Sequence, residues 1–298
     1  MPGSPRRTTG ARERWGRLPT ALASRATGVL ARLPVPRPLR RPVLGTVARV
    51  LGMDLAEAAD PIARYRSLDD LFVRRLRDGA RSWPAEPGVP GSPVDGVIGQ
   101  GGRIEEGRLL QAKGRGYAAA DLLDDDALAA RFEGGTFLTI YLAPRHYHRI
   151  HAPVGGAVGR ARHVPGRLVP VNAPAVRRVD RLFPRNERLS ALIEGDQATG
   201  LVAVVAVGAF NVGRISADFD PGLVTNRRGA RAETHVYHPP VAVGRGDPLM
   251  AFHLGSTVVL LFERALALGP DVASGRDIRL GAPLGTPRGQ ARPAEPGT

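Results

Sequence analysis

His253-Leu254-Gly255-Ser256-Thr257-Val258-Val259-Leu260-Leu261-Phe262 is the stretch on which the reading of this 298-residue chain turns. A glycine and two hydroxyl residues open an unbroken run of β-branched and apolar side chains, the pattern of a tight turn feeding a buried strand. Gly255 has no Cβ, so the peptide before Ser256 can take conformations closed to other residues and present its carbonyl to the neighbouring hydroxyl. Ser256 could then attack the chain it belongs to. Taken alone, Gly-Ser-Thr before a strand is far more often a plain turn, and its weight comes from distant partners.

Outward from that stretch, short apolar or alternating runs at 94–98, 136–142, 155–158, 201–210, 235–238 and 257–262 are separated by glycine and proline. They predict a mainly antiparallel β domain, within which only 119–132 reads as a helix. The N-terminal part is different. From Pro19, the spacing of Leu22, Ala26, Val29 and Leu33 predicts an amphipathic helix, with Arg25 and Arg32 to one side and Pro34, Pro36 and Pro38 as its stop. A second helix is predicted over 43–51, ending at Gly52. Ser67-Leu68-Asp69-Asp70 comes close to a capping box and opens a third, with Leu68, Leu71, Phe72 and Leu76 as its apolar face and Gly79 as its end. The sequence therefore predicts an α+β protein: a basic N-terminal helical region over 1–80, a Pro/Gly-rich link, a β-rich catalytic domain over 84–286 and a flexible tail over 287–298.

Composition removes several kinds of chemistry. Cysteine is absent, which excludes disulfides, thiolate metal sites and thiol nucleophiles. A net charge of +14 suggests an anionic partner, but aromatics make up only 5 % and form no Gly/aromatic clusters, so no nucleic-acid partner is expected. Lys113 is the single lysine among 42 basic residues. Pyridoxal phosphate needs a lysine, so amine chemistry here must pass through Lys113 or through a different carbonyl. No apolar run approaches a membrane span and the N-terminus lacks a signal-peptide core, which predicts a soluble or peripheral protein. The basic N-terminal helices read as packed on the core or as an arm lying on anionic lipid, with packing slightly favoured.

The segment 141–153 holds His146, His148 and His151, three of the seven histidines. His-x-His can chelate a metal, yet between Glu133 and Asp180 there is no acidic residue while seven arginines occur, so no metal is predicted. The same imbalance suits a site receiving a carboxylate or phosphodiester. Asp95-Gly96 by itself reads as a hairpin turn. Joined as Asp95, a histidine and Ser256, these residues have the logic of an activated nucleophile. No Gly-x-Ser-x-Gly elbow surrounds Ser256. Two candidates stand at this point, a serine hydrolase and a self-processing serine.

Taken together, the motifs resemble the phosphatidylserine decarboxylase family. They include Leu71-Phe72-Val73-Arg74-Arg75-Leu76, Ser92-Pro93-Val94-Asp95-Gly96, Gln111-Ala112-Lys113-Gly114 and Pro144-Arg145-His146-Tyr147-His148-Arg149-Ile150-His151. Val164-Pro165-Gly166-Arg167-Leu168, Phe183-Pro184-Arg185-Asn186-Glu187-Arg188, Asn211-Val212-Gly213 and Leu254-Gly255-Ser256-Thr257 follow in order, and the Gly-Ser-Thr form is similar to the bacterial membrane-associated branch. The resemblance implies a proenzyme that cuts itself between Gly255 and Ser256, with Asp95 and His151 orienting and deprotonating Ser256. It implies a pyruvoyl group made from Ser256, where the substrate amine would form its Schiff base, with neither pyridoxal phosphate nor metal. His148 would donate the proton that completes phosphatidylethanolamine, and Thr257 would help hold the oxyanion during cutting. The implied partners are phosphatidylserine, an anionic membrane surface at the cytoplasmic face of the cell membrane, and a large chain 1–255 that stays with a small chain 256–298; a homodimer is compatible with this. His146 stands where the family often has an acid. The rival readings are a serine hydrolase using Asp95, His151 and Ser256, and a basic lipid-binding domain.

Overall fold

The strand that opens at Thr257 lies inside an eight-stranded antiparallel sheet in the computed structural model, which describes residues 27–112, 114–210 and 214–288. In chain order the strands used below are β1 (Gly96–Arg103), β2 (Thr136–Tyr141), β3 (Arg149–His151), β4 (Gly156–Val164), β5 (Arg188–Glu194), β6 (Leu201–Val207), β7 (Ile215–Ala217), β8 (Glu233–Val243), β9 (Pro248–Phe252), β10 (Thr257–Phe262) and β11 (Asp277–Ile278). The large sheet has the order β8-β4-β5-β6-β10-β2-β1-β11, and a small sheet has the order β3-β9-β7. Every residue of β6 and of β10 is buried, which is why both strands are continuous apolar runs rather than alternating ones. The architecture is α+β with the β part dominant, as the sequence predicts.

Register aligns the ends of the central strands. Val97 pairs with Tyr141, Tyr141 with Thr257, Thr257 with Val207 and Val207 with Arg188, so these five residues form one row across the sheet. Asp95 precedes β1 by one residue, Ser256 precedes β10 by one, and the histidine segment follows the end of β2. All three therefore leave the sheet at the same end. The small sheet carries the rest: β3 contains His151 and begins just after His148, and β9 runs from Phe252 directly into His253.

The helices depart from the sequence expectations in instructive ways. Residues 27–32 are helical, while 19–26 lie outside the described residues. The next helix, α1 (Arg37–Leu51), starts six residues earlier than predicted, with Pro36 as its N-cap and Pro42 inside it. Proline at the first helical positions loses nothing, because those N–H groups have no intrahelical partner, and Pro42 forfeits one bond within a helix held by burial of Leu44 and Ala48. Ser67 caps α2 (Leu68–Phe72) as expected, accepting from the Asp70 N–H at 3.1 Å. That helix ends at Phe72 rather than at Gly79, because the chain beyond it pairs with residues 57–59: Ala59 N–H donates to Arg75 at 2.9 Å and Arg77 N–H to Glu57 at 3.0 Å. The predicted helix over 119–132 is two, α3 (Ala119–Leu123) and α4 (Asp126–Ala130). Asp124 takes a left-handed conformation between them, and the Asp125 carboxylate caps α4 by accepting from Leu128 N–H at 2.9 Å. Asp95-Gly96 makes no hairpin; Gly96 starts β1, where a Cβ would stand 2.7 Å from the Tyr141 carbonyl oxygen.

Among the described residues, two clusters make up the interior. The larger fills the β domain, and the smaller packs Leu44, Ala48, Met53, Tyr65, Leu71 and Phe72 together. Leu254 touches both, so the segment before Ser256 runs along the seam between the N-terminal helices and the β domain.

Candidate active site

Ser256 is wholly buried and its hydroxyl donates to the Val207 carbonyl, while its own carbonyl accepts from Leu142 N–H at 2.6 Å. The residue before it has no room for a side chain. A Cβ on Gly255 would stand 2.7 Å from the Leu142 carbonyl oxygen and 3.0 Å from His148 Nε2. Leu254 sits at φ +143°, a conformation that disfavours a residue with a side chain and costs about 1–3 kcal/mol where it is enforced. A strained residue, a glycine fixed by crowding and a buried hydroxyl thus follow one another. Thr257 is also buried, and its Oγ1 has no hydrogen-bond partner.

The three histidines of the 141–153 segment face three different surroundings, which is not the geometry of a shared metal site. His146 Nδ1 accepts from Ala143 N–H at 3.0 Å, and burial lowers its pKa, with Arg145 adding to the effect. His148 is fully buried, stands edge-on to Phe72 with ring centroids 4.9 Å apart, and has no hydrogen-bond partner of standard geometry at either nitrogen. Burial first, and then the Arg74 guanidinium, push its pKa down to about 3. His151 donates from Nδ1 to the Gly246 carbonyl at 2.7 Å, which leaves Nε2 to accept from the Tyr147 hydroxyl at 3.0 Å. Burial lowers its pKa as well. His151 and Tyr147 line a cavity of about 610 Å³ together with Arg81, Trp83, Arg149 and Asp218.

Asp95 is placed at the same end of the sheet but is held by other groups. Its carboxylate accepts from Arg81 at 2.8 and 3.3 Å and from Leu280 N–H at 2.7 Å. Backbone rather than side chains links the Asp95 segment to His151, whose N–H donates to Pro93 at 2.9 Å. Among the described residues, Asp95, His151 and Ser256 are not joined by a side-chain hydrogen bond. The structure brings His148, not His151, to Gly255.

Three residues of this neighbourhood carry more than the sequence reading gave them. Arg74 is buried, lies within electrostatic reach of His148 and Asp95, and has Nε and Nη1 without partners. Burial lowers its pKa, yet a guanidinium stays charged at neutral pH, so its open N–H groups favour an anion. Asp69, read as part of a cap, accepts from His253 Nδ1 at 2.9 and 3.0 Å, and His253 Nε2 accepts from the Ser216 hydroxyl at 3.1 Å. Sequence spacing could not find these, since Asp69 and His253 lie 184 positions apart.

Known proteins match this chain over most of its length. The family model described as phosphatidylserine decarboxylase matches residues 68–286. A phosphatidylserine decarboxylase proenzyme of Anaeromyxobacter sp. (strain K) is 50 % identical over 272 residues, covering 90 % of this chain and 95 % of that protein. Proteins of the same name from Myxococcus xanthus (strain DK1622) and Halorhodospira halophila (strain DSM 244 / SL1) are 41 % and 42 % identical, covering 83 % and 90 % of this chain and 86 % and 90 % of their own.

Proposed function

This chain belongs to the phosphatidylserine decarboxylase family, and from that premise we propose that it cuts its own backbone between Gly255 and Ser256 and then removes CO2 from the serine head group of phosphatidylserine, leaving phosphatidylethanolamine. The observation that carries the reading is the placement of the unpartnered His148 Nε2 against a glycine that admits no side chain, immediately before a buried serine. In the cutting step the Ser256 hydroxyl adds to the Gly255 carbonyl carbon, the Gly255–Ser256 C–N bond breaks, and an ester with a free amine results. Loss of the Ser256 α-proton expels the Gly255 carboxylate. Water then replaces the nitrogen, which leaves as ammonia, and residue 256 becomes a pyruvoyl group at the start of the small chain 256–298, paired with the large chain 1–255. The buried Thr257 Oγ1, free of partners, is available to donate to the oxyanion formed at Gly255.

Such a pyruvoyl ketone would supply the chemistry of an electrophile for the substrate amine and a sink for the electron pair released with CO2. The residues around Ser256 fit such a group: the surroundings are buried, and His148 and Thr257 have polar atoms left open there. His148 delivers the proton that replaces CO2. In the closed, buried site its ring is neutral, and an arriving carboxylate or phosphate raises its pKa, so it becomes charged when substrate enters. Arg74 meets the same anion with its open N–H groups. Asp95 and His151 serve the cutting step, for which His151 exchanges Tyr147 for Ser256. A second assignment, with His148 as the base in cutting, is favoured by its closeness to Gly255.

Docking is peripheral, at the cytoplasmic face of the cell membrane. Leu39, Val43 and Val50 are exposed on α1 and Leu33 just after the preceding helical stretch, and Arg32, Arg37, Arg41 and Arg49 are exposed among them. Apolar side chains set among arginines suit an anionic lipid surface. No described helix is long and apolar enough to cross a membrane. Leu22, part of the expected apolar face, lies outside the described residues.

Intact mass and denaturing electrophoresis test the proposal. The expected result is two fragments that meet between residues 255 and 256, the smaller trapped by borohydride at a keto group, with CO2 released from phosphatidylserine. An unbroken, active chain would overturn it.

A further inference from the structure

We infer that α2, through the chain Asp69–His253–Ser216, is a template for self-cutting, and that Asp69 and His253 are positioning residues for the Gly255–Ser256 bond; the inference rests on the self-cleavage reading above. The relevant geometry is a clamp on both sides of a two-residue span. On the upstream side, the His253 backbone N–H donates to Arg214 at 3.0 Å, its ring donates to Asp69, and the ring accepts from Ser216 on β7. On the downstream side, Ser256 is fixed by Leu142, and Thr257 enters the large sheet. Only Leu254 and Gly255 remain between the clamps. Leu254 takes the strained φ there, and such strain persists only where the surroundings over-determine it.

One short helix reaches the segment before the reacting bond at more than one point. Asp69 of α2 holds His253, and Phe72 of the same helix stands edge-on to His148, the histidine nearest Gly255. Leu254 packs against the cluster that contains Leu71 and Phe72. Asp69 and His253 are both nearly shielded from solvent, so their bond is not exchanged for water at low cost. Ser216, His253 and Asp69 have the order of a nucleophile relay, but here the imidazole is spent in holding backbone two residues upstream of the cut. Until the N-terminal helical layer docks, His253 lacks its carboxylate and the span is slack. Cutting therefore waits for that layer to be in place, and the tether has no task in the decarboxylation that follows.

The test uses the full chain made by cell-free translation, sampled over time and resolved by denaturing electrophoresis. Asp69→Ala and His253→Ala are expected to slow cutting at least tenfold, and Ser216→Ala by a few fold. Asp69→Asn, which keeps the acceptor and the shape, is expected to return cutting to within about threefold of the parent. Material that has cut is expected to keep the parental kcat and KM. Cutting at the parental rate in Asp69→Ala and His253→Ala would overturn the inference. So would a matching loss of kcat in the cut enzyme, or failure of Asp69→Asn to restore cutting, since either outcome would make the cluster a general support of the fold. If the parent chain itself stays whole, the self-cleavage reading fails instead. Should Asp69→Ala not fold, the comparison of Asp69→Asn with His253→Gln, which replaces the ring by a carboxamide, decides the matter: the inference expects faster cutting in the former.

Discussion

His148 Nε2 stands 3.0 Å from the point where a Cβ on Gly255 would begin, and the Leu142 carbonyl oxygen stands 2.7 Å from the same point. Gly255 is thus required by crowding and not by a positive φ. Gly255→Ala is expected to displace His148 or the backbone and to slow cutting at least tenfold, with a loss of about 1–3 kcal/mol in stability from overpacking. Timed electrophoresis of fresh precursor measures the first effect and urea unfolding the second. An alanine precursor that cuts as fast as the parent would show that the space can be made without penalty.

Removing the nucleophile separates chemistry from fold. Ser256→Ala is expected to remain one chain, folded, without decarboxylation and without a keto group that borohydride can trap. Its buried position tolerates the change, because the hydroxyl makes one bond to Val207 and alanine fits the same space. Fragments of the expected size from this variant would mean that another group performs the cut.

The two buried histidines are expected to part company. His148→Ala should still cut but lose at least a hundredfold in kcat, because its unpartnered Nε2 lies against Gly255, the neighbour of the proposed pyruvoyl residue. His151→Ala should cut slowly or not at all. Cutting rates and single-turnover decarboxylation measure the pair, and loss of cutting in His148→Ala alone would reverse the assignment.

Acid is expected to destabilise the uncut chain through these same rings. The folded-state pKa of His148 is about 3, below the ordinary 6.5, and burial depresses His146 and His151 in the same direction. Between the two values the unfolded chain binds protons that the folded chain refuses. Stability is then complete above pH 6.5 and falls as the pH drops toward 3, by on the order of a few kcal/mol. Urea unfolding of Ser256→Ala at pH 7 and at pH 4.5 measures this. Adding His148→Asn should flatten the slope, and an unchanged slope would place the titrating groups elsewhere.

Replacing Leu33, Leu39, Val43 and Val50 together with serine is expected to lower co-sedimentation with anionic liposomes at least fivefold, with little change in melting point because all four are exposed. Undiminished sedimentation would move the docking surface away from these helices.

Much of the β domain was legible because burial on both faces of β6 and β10 writes itself into sequence as unbroken apolar runs. The Ser67 cap was legible for a similar local reason, a hydroxyl three residues before the N–H it accepts from. Helix ends were less so. Tertiary pairing of residues 57–59 with 75–77 stopped α2 early, and an aspartate that caps from outside split α3 from α4. At the site, the order and types of residues pointed to Asp95, a histidine of the 141–153 segment and Ser256, and the family resemblance singled out His148 and His151. Their present partners, Arg81 for Asp95 and Tyr147 for His151, were not foreseen.

The sequence by itself determined that a glycine and a serine adjoin just before a buried strand, that no thiol can act, and that a histidine cluster free of nearby acids waits elsewhere in the chain, because such features are local or compositional. Only the tertiary structure decided which histidine meets Gly255 and which acid holds His253. Those contacts depend on strand register and on the seam between two packed layers, where a shift of one residue would send every side chain to the opposite face.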